Sequence, residues 1–349
     1  MTKAEVAVID LNGDPHQRGL YHGLAAADAI QAFLSDGLTR LDAFLAETPT
    51  MDRFEAELSA YGRSIREQTP DIFREIEGLA DGAGISLSQG ILLQTRRELA
   101  GFSRFTTAGD CTTFARTSGR AVLGQTIDLA GDMDDQLTVL RVRDRFTGHR
   151  ALVLSFTGLL GYLGVNDRGL AVGINLVLGG NWRPGLPPYL AIRHLLDTCS
   201  SVEDALERLG QLDMASSRCL MLCDEFAAAY VEVLDGRLSV CRGNLLSHTN
   251  HFLDPDFAAL DEMNIFARNG SGKRLDACSA WLRARGDPLD PEAYFDLFTS
   301  DPVVVPGCGN RSVEKTVAAV VLDPVERVLY VRAGDPRAAT TQRFEMLAA

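Results

Sequence analysis

The sequence lacks any apolar run long enough to cross a bilayer. Its longest uncharged stretch, residues 151–166, has 16 residues and is broken by Gly158, Gly161 and Gly164, against the roughly 20 that a membrane helix needs. The start, Met1 to Asp10, has no basic region followed by an apolar segment, so no secretory signal is expected and the cytoplasm is the expected location. Basic residues are scarce, 34 Lys and Arg against 47 Asp and Glu, for a formal net charge of −13. Such a field repels phosphate, which argues against nucleic acid or an anionic membrane as partner. Cysteine pairs are missing too. The seven cysteines (111, 199, 219, 223, 241, 278 and 308) are scattered and odd in number, so neither a disulfide framework nor a zinc CxxC pair is expected, and most should be buried thiols.

Several familiar signatures are also absent. No GxSxG elbow occurs, which lowers the case for a serine α/β-hydrolase. The segment 267–274 looks like a phosphate loop at first sight, but Ala267 stands where glycine is needed and Arg274 where the magnesium-binding hydroxyl belongs. Gly158, Gly161 and Gly164 lack the close first pair of a dinucleotide fingerprint. His248 and His251 have no HExxH context, and Asp132, Asp134 and Asp135 lack calcium-loop spacing, so no metal and no cofactor is expected.

What is present is a chain of 349 residues, 46% hydrophobic, long enough for a sizeable core. From Pro15 to about Gly101 apolar residues recur at helical spacing, as in Leu34, Leu38, Leu41, Phe44 and Leu45, and again in Phe73, Ile76 and Leu79. Ser86 and Gln89 have the spacing of a capping box. Past Cys111 the texture changes to short β-like runs at 113–116, 122–127, 138–142, 151–156 and 170–176, separated by turns such as Ser118-Gly119 and Thr147-Gly148. Helices are expected over 189–212, with strands at 219–223, 228–234 and 237–241. Helices return at 274–285 and 291–298, before a closing hairpin of 316–322 with 327–332. Helices first, then strands with helices inserted late, is an α+β pattern of antiparallel sheets covered by helices, and a single domain over 1–349 is the simplest organisation.

One constellation carries chemistry. Cys111 opens a strand beside small and polar residues, in Ala108-Gly-Asp-Cys-Thr-Thr-Phe114. The hairpin turned at Ser118-Gly119 brings Asp128 back toward it, and Leu246-Ser-His-Thr-Asn-His-Phe252 sets Asn250 between two histidines after a later strand. These pieces resemble the acyl-coenzyme A:isopenicillin N (6-aminopenicillanic acid) acyltransferases and their relatives among the N-terminal-nucleophile hydrolases. The resemblance is carried by Asp110-Cys-Thr-Thr113, Gly124-Gln-x-x-Asp128, Gly169-Leu-Ala-Val-Gly-Ile-Asn175, His248-Thr-Asn-His-Phe252 and Ala318-Ala-Val-Val-Leu-Asp323. It extends to Val331-Arg-Ala-Gly-Asp-Pro336 and to the opening segment Gly13 to Gly23, and so spans nearly the whole chain.

The resemblance implies a four-layer αββα sandwich made as an inactive precursor, a zymogen that cuts itself between Asp110 and Cys111. Residues 1–110 would form a small helical subunit and 111–349 a large catalytic one. It further implies Cys111 as nucleophile, Asn250 as oxyanion donor, Asp128 as the carboxylate that orients the new ammonium, and a basic partner before the late strand, for which Arg311 is the nearest candidate. Thr113, Asn175 and His248 would support the site. The chemistry is coherent on its own terms, because a thiolate is a strong nucleophile and a free α-amine, with an ordinary pKa of about 7.7 to 8.0, is a base poised near neutrality. The expected substrates are a small-molecule acyl donor, an amide or a thioester such as an acyl-CoA, and water or an amine as acceptor; a homo-oligomer is compatible. Hydrolysis and acyl transfer both remain open. So do a catalytically silent, unprocessed binding module and a cysteine hydrolase that uses His248 or His251 as base without cleavage, while Cys308 is the rival nucleophile.

Overall fold

The computed structural model describes residues 5–101, 111–130, 132–286 and 290–347. The chain opens with β1 (Ala7–Gly13), and helices α1 (Pro15–Ala25), α2 (Ala27–Ser35), the short α3 (Gly37–Arg40), α4 (Met51–Gln68), α5 (Pro70–Ala83) and α6 (Leu87–Ala100) follow. Local chemistry starts the main ones. Asp14 and Gln17 form a capping box on α1 with Pro15 behind the cap, and the expected Ser86–Gln89 box starts α6.

The strands then build two sheets. They are β2 (Cys111–Arg116), β3 (Val122–Leu129), β4 (Leu137–Asp144), β5 (Arg150–Phe156), β6 (Leu163–Asn166), β7 (Ala171–Leu176), β8 (Arg218–Cys223), β9 (Ala228–Leu234), β10 (Arg237–Arg242), β11 (Leu245–His248), β12 (Lys315–Asp323), β13 (Val328–Ala333) and β14 (Gln342–Phe344). Between them lie α7 (Pro188–Thr198), α8 (Val202–Leu209), the short α9 (Pro255–Ala258), α10 (Ile265–Ala284) and the short α11 (Phe295–Phe298). One sheet runs β1-β4-β5-β6-β7-β8-β9-β10 and the other β11-β2-β3-β12-β13-β14.

The two sheets pack face to face. Gly173 of β7 shows how closely, since a Cβ there would meet Gln125 Oε1 of β3 at 2.8 Å and Leu123 at 3.0 Å. Leu196 of α7 lies against Gly164 of β6 on the outer side of the larger sheet. Phe114 and Ala319 of the smaller sheet are buried with Cys278 and Leu282 of α10 and with Phe295 and Phe298 of α11. The result is the expected α+β, four-layer αββα sandwich.

Several elements depart from the sequence expectations. Strands β1, β6, β11 and β14 were not anticipated. β1 pairs in parallel with β4 as an edge strand, and its exposed side carries Asp10 and Asn12. β14 has three residues and none fully buried. Helix α10 begins at Ile265, nine residues before the expected start at 274, because Asn264 caps it by accepting from the backbone N–H groups of Phe266 and Ala267. The phosphate-loop look-alike is therefore helical.

Within the helical layer, Glu75 of α5 ties three elements together. Its Oε2 accepts from Arg18 Nε of α1 at 3.0 Å and from Arg193 Nη2 of α7 at 2.9 Å, and Arg193 and Glu75 are fully buried. Burial by itself would raise the Glu75 pKa, but the Arg193 and Arg18 guanidiniums outweigh it and hold the carboxyl below its ordinary value. Glu75→Gln leaves two buried cations short of their counter-charge and is expected to lower stability at neutral pH by about 3 to 5 kcal/mol. The pH dependence follows from the sign of the shift. A depressed carboxylate contributes stability that is present above its unfolded pKa of about 4.3 and is lost as pH falls through the lower folded value. The neighbouring His22, which burial lowers to about 4, begins its own loss lower than about pH 6.5. Urea midpoints measured from pH 7 to pH 3 should converge for wild type and Glu75→Gln; a constant gap would reject this assignment.

Candidate active site

Cys111 is the first residue of β2, 2% exposed, and pairs with Ile127 of β3. Strand alternation directs its side chain to the same face as Thr113, whose methyl approaches Gly173 of the opposite sheet. Thr112 and Phe114 point the other way, toward α10.

Both backbone polar groups of Cys111 are held. The N–H donates to Asn250 Oδ1 at 3.0 Å. The carbonyl accepts from Arg274 Nη1 at 2.8 Å and from Asn175 Nδ2 at 3.2 Å. Asn175, on β7 of the facing sheet, takes a hydrogen bond from Thr113 Oγ1 through its Oδ1. Arg274, 3% exposed, also donates to Thr112 Oγ1 at 3.2 Å and, through Nη2, to Asn250 Oδ1 at 2.8 Å. A guanidinium only donates, so Arg274 fixes which end of the Asn250 amide faces the cysteine. It is the oxygen. Asn250 Nδ2 donates to Leu176 O at 3.0 Å.

The turn that carries Asn250 is anchored from two sides. Its N–H donates to Ser271 Oγ of α10 at 2.9 Å. Glu232 of β9 accepts from the N–H groups of Leu253 and Asp254, at 2.6 and 3.0 Å, and lies 2.8 Å from His248 Nε2. His248 Nδ1 faces the Thr249 carbonyl at 2.7 Å. One ring nitrogen meets a backbone carbonyl and the other a carboxylate, so the ring is held on both sides within the turn. His251 Nδ1 is 2.8 Å from Ser271 Oγ, and burial, with the charges of His248 and Arg268, lowers its pKa to about 4.

Asp128 sits one residue beyond the register partner of Cys111, on the face shared with Thr112 and Thr126. Its Oδ1 accepts from Thr316 Oγ1 of β12 at 2.6 Å, and Thr126 Oγ1 accepts from Thr112 N at 3.0 Å. The sequence-based set of Cys111, Thr113, Asp128, Asn175, His248 and Asn250 is thus gathered around one strand end. Asp110 lies outside the described residues.

Arg311 is not brought there. It is exposed on the loop before β12, 3.2 Å from Asp36 and 4.0 Å from Asp132. Lys315, at the strand start, is held by Asp132 and Asp134 at 2.8 and 3.0 Å, so the acidic cluster on this side is an ion-paired junction. The basic group beside the cysteine is Arg274, from a segment set aside as a broken phosphate loop. Asn264 was the available signal, because a cap there puts Ser271 and Arg274 three apart on one helix face.

The other cysteines are built differently. Burial pushes the thiols of Cys219, Cys223 and Cys278 up, that of Cys278 to about 12, and Cys308 is exposed on a loop. No group of metal-ligating side chains is found among the described residues.

Residues 115–338 match the family model described as acyl-coenzyme A:6-aminopenicillanic acid acyl-transferase. The chain belongs to this family. Membership in the acyltransferase family makes acyl transfer or amide hydrolysis its reaction class. A curated relative, the 40 kDa form of acyl-coenzyme A:6-aminopenicillanic-acid-acyltransferase from Emericella nidulans, is 26% identical over 346 residues, covering 94% of this chain and 92% of that one. Among solved structures, a variant of conjugated bile acid hydrolase from Clostridium perfringens aligns with a TM-score of 0.50 at 13% identity, over 68% of this chain and 99% of the other. Penicillin V acylase from Agrobacterium tumefaciens aligns with a TM-score of 0.49 at 15% identity, over 68% and 86%. The bile acid hydrolase likeness bears on the fold, which is that of the N-terminal-nucleophile hydrolases. Among the described residues no helix is long and apolar enough to cross a membrane.

Proposed function

We propose that this protein is a self-processing cysteine enzyme of the N-terminal-nucleophile type, acting on a small amide or thioester. The observation that carries the reading is the clamp on Cys111, whose N–H is held by Asn250 Oδ1 and whose carbonyl is held by Arg274 and Asn175. Buried backbone groups are bonded wherever they occur; what supports the reading here is that the partners are polar side chains from three other elements, with Asn250 Oδ1 set against the nitrogen that cleavage would turn into an amine.

In the first stage the Cys111 thiol attacks the carbonyl carbon of Asp110, the peptide C–N bond breaks, and the nitrogen takes up the thiol proton. Water then cleaves the resulting thioester, leaving the Asp110 carboxylate on one chain and Cys111 with a free amine at the head of the other. In the second stage that amine takes the thiol proton, and the thiolate attacks the acyl carbonyl. The amine then returns the proton to the leaving group. The thioester acyl-enzyme passes its acyl group to water or to an acceptor amine. Asn250 holds the amine through Oδ1, and its amide is the oxyanion donor that the family resemblance implies. Asp128, beside the same strand end, orients the ammonium. His248 supports the turn, its ring held between the Thr249 carbonyl and Glu232.

The test is the intact mass of freshly purified protein under denaturing conditions. Two chains of roughly 12 and 26 kDa are expected by proportion of the 37.9 kDa total, the larger beginning with Cys111 by terminal sequencing. A single stable chain of full mass would reject the amine mechanism and favour an unprocessed binding module.

A further inference from the structure

Strand β12 carries a bulge where it runs beside β3. Lys315 and Thr316 pair with Leu129 and Asp128, but the next pair joins Ala318 to Ile127, so Val317 is an extra residue in that ladder. Side chains alternate along a regular strand, and cross-strand partners share a face. Without the extra residue, Thr316 would lie on the face of Ala318, with Ile127. With it, Thr316 is carried over to the opposite face, where Asp128 is. The packing agrees. Val317 and Ala318, though successive, both fall in the core that holds Ile127, whereas Ala319 packs with Cys278 and Leu282 of α10. Bulges commonly re-aim a side chain next to an active site, and Asp128 lies one residue past the ladder partner of Cys111.

The re-aimed hydroxyl is held from behind. Val305 N–H donates to Thr316 Oγ1 at 2.8 Å, and Thr316 N–H donates to the Val305 carbonyl, also at 2.8 Å, so a closed pair of bonds fixes the side chain. In front, Thr316 Oγ1 lies 2.6 Å from Asp128 Oδ1. An ionised carboxylate only accepts, so the hydroxyl proton points at Asp128. Both residues are buried, and a hydrogen bond to an ionised group away from water is one of the stronger and more directional kinds. Lys315, the preceding residue, pairs with Asp132 and Asp134 beyond the end of β3, so the strand ends that carry Thr316 and Asp128 are tied a second time.

We propose that Thr316 is a positioning residue for the acyl chemistry: its hydroxyl, aimed by the bulge, sets the plane of the Asp128 carboxylate that orients the Cys111 ammonium. Strand pairing fixes the Asp128 backbone but leaves the carboxylate torsion, which is a broad one, open. The Thr316 bond closes it. An ammonium aligned by that carboxylate has a defined N–H direction for the leaving group, and one beside a turning carboxylate does not. The thiol proton goes to the amine and from there to the leaving group, and Thr316 takes part in neither transfer. The inference rests on the self-processing reading, in which Asp128 meets the Cys111 amine.

Two probes with the same acetyl group isolate the proton step. p-Nitroacetanilide expels a nitrogen that must be protonated as it leaves, whereas p-nitrophenyl acetate expels a phenolate that needs no proton. Acylation of Cys111 by each is read from the released chromophore and from the acetyl mass on the large chain, in wild type, Thr316→Val and Thr316→Ser, with circular dichroism as the check on folding. Thr316→Val keeps the shape and removes the donor. It should lower the maximal rate on the anilide about tenfold, with the half-saturating concentration within about twofold, as for a misplaced proton donor, and slow the ester much less. Thr316→Ser keeps the donor and should recover the wild-type anilide-to-ester ratio. A residue that only packs the strand gives the reverse order, since valine fills the site and serine leaves a gap, and it moves both probes together. A wild-type ratio in folded Thr316→Val would overturn the proposal. If Thr316→Val does not fold, Thr316→Cys, with its weak S–H donor, replaces it: a lowered ratio supports the proposal and a wild-type ratio overturns it. A wild-type chain that stays whole by intact mass sinks the self-processing reading and this inference with it; a processed wild type with an unmoved ratio in the variant sinks this inference alone.

Discussion

Cys111→Ala is expected to purify as one chain of 37.9 kDa and to show no acyl-transfer or hydrolase activity, a loss of about 10⁶-fold on the scale seen when a nucleophile is removed from a hydrolase. The fold should survive. Cys111 is 2% exposed and its side chain is small, so truncation to alanine removes one buried sulfur atom, worth about 1 kcal/mol. The backbone clamp by Asn250, Asn175 and Arg274 does not use the side chain and remains. The diagnostic result is therefore an unprocessed, inactive protein with a melting temperature near that of wild type. Cys111→Ser should cut slowly, because the hydroxyl is the weaker nucleophile at neutral pH. Normal cleavage in Cys111→Ala would move the nucleophile elsewhere in the chain.

Much of this architecture is legible in the sequence, and the places where it is not have physical causes. Strands β8, β9, β12 and β13 announce themselves because they are largely apolar runs ended by Gly or Asp turns, and β2 and β3 because the Ser118-Gly119 turn parts them. β1 and β14 do not, since one is an exposed-sided edge strand and the other has three residues. Helix α10 was half missed for a reason tied to the site itself. Its buried positions are Ala267, Ser271, Arg274, Cys278 and Leu282, which follow helical spacing, yet the first three are small or polar because they face the cysteine and its asparagine. An apolar-periodicity rule reads only the later pair. The same cause hid Arg274. A sequence shows that an arginine is present but not that it is buried, and Arg311 was favoured on its nearness to the late strand, where the fold instead gives it Asp36 as partner. Asn250 was found, but the direction of its amide was not, because that depends on the guanidinium opposite.

Arg274→Met should therefore separate the clamp from the nucleophile. The substitution keeps a long side chain but removes the donors to Cys111 O, Thr112 Oγ1 and Asn250 Oδ1. Lost charge-assisted hydrogen bonds, together with acceptors left short of a donor in a buried site, are expected to cost about 2 to 4 kcal/mol of stability. The chemical effect should be specific. Without Arg274 Nη2, the Asn250 amide is oriented only by the Leu176 carbonyl and the Cys111 nitrogen itself; it turns more readily, and the amine loses its acceptor in a fraction of molecules. Self-cleavage and kcat should each fall by about 10²-fold or more, the range found when one aligned donor is removed from an acyl-transfer site. Arg274→Lys distinguishes charge from shape. An ammonium supplies the positive charge but not the planar fork that reaches Cys111 O and Asn250 Oδ1 together, so it should rescue stability more than rate. Intact-mass time courses for cleavage, paired with kcat on the chains that do form, give both numbers for each variant. If Arg274→Lys recovers the wild-type rate, the arginine acts through its charge alone, and the Asn250 amide is oriented by something else.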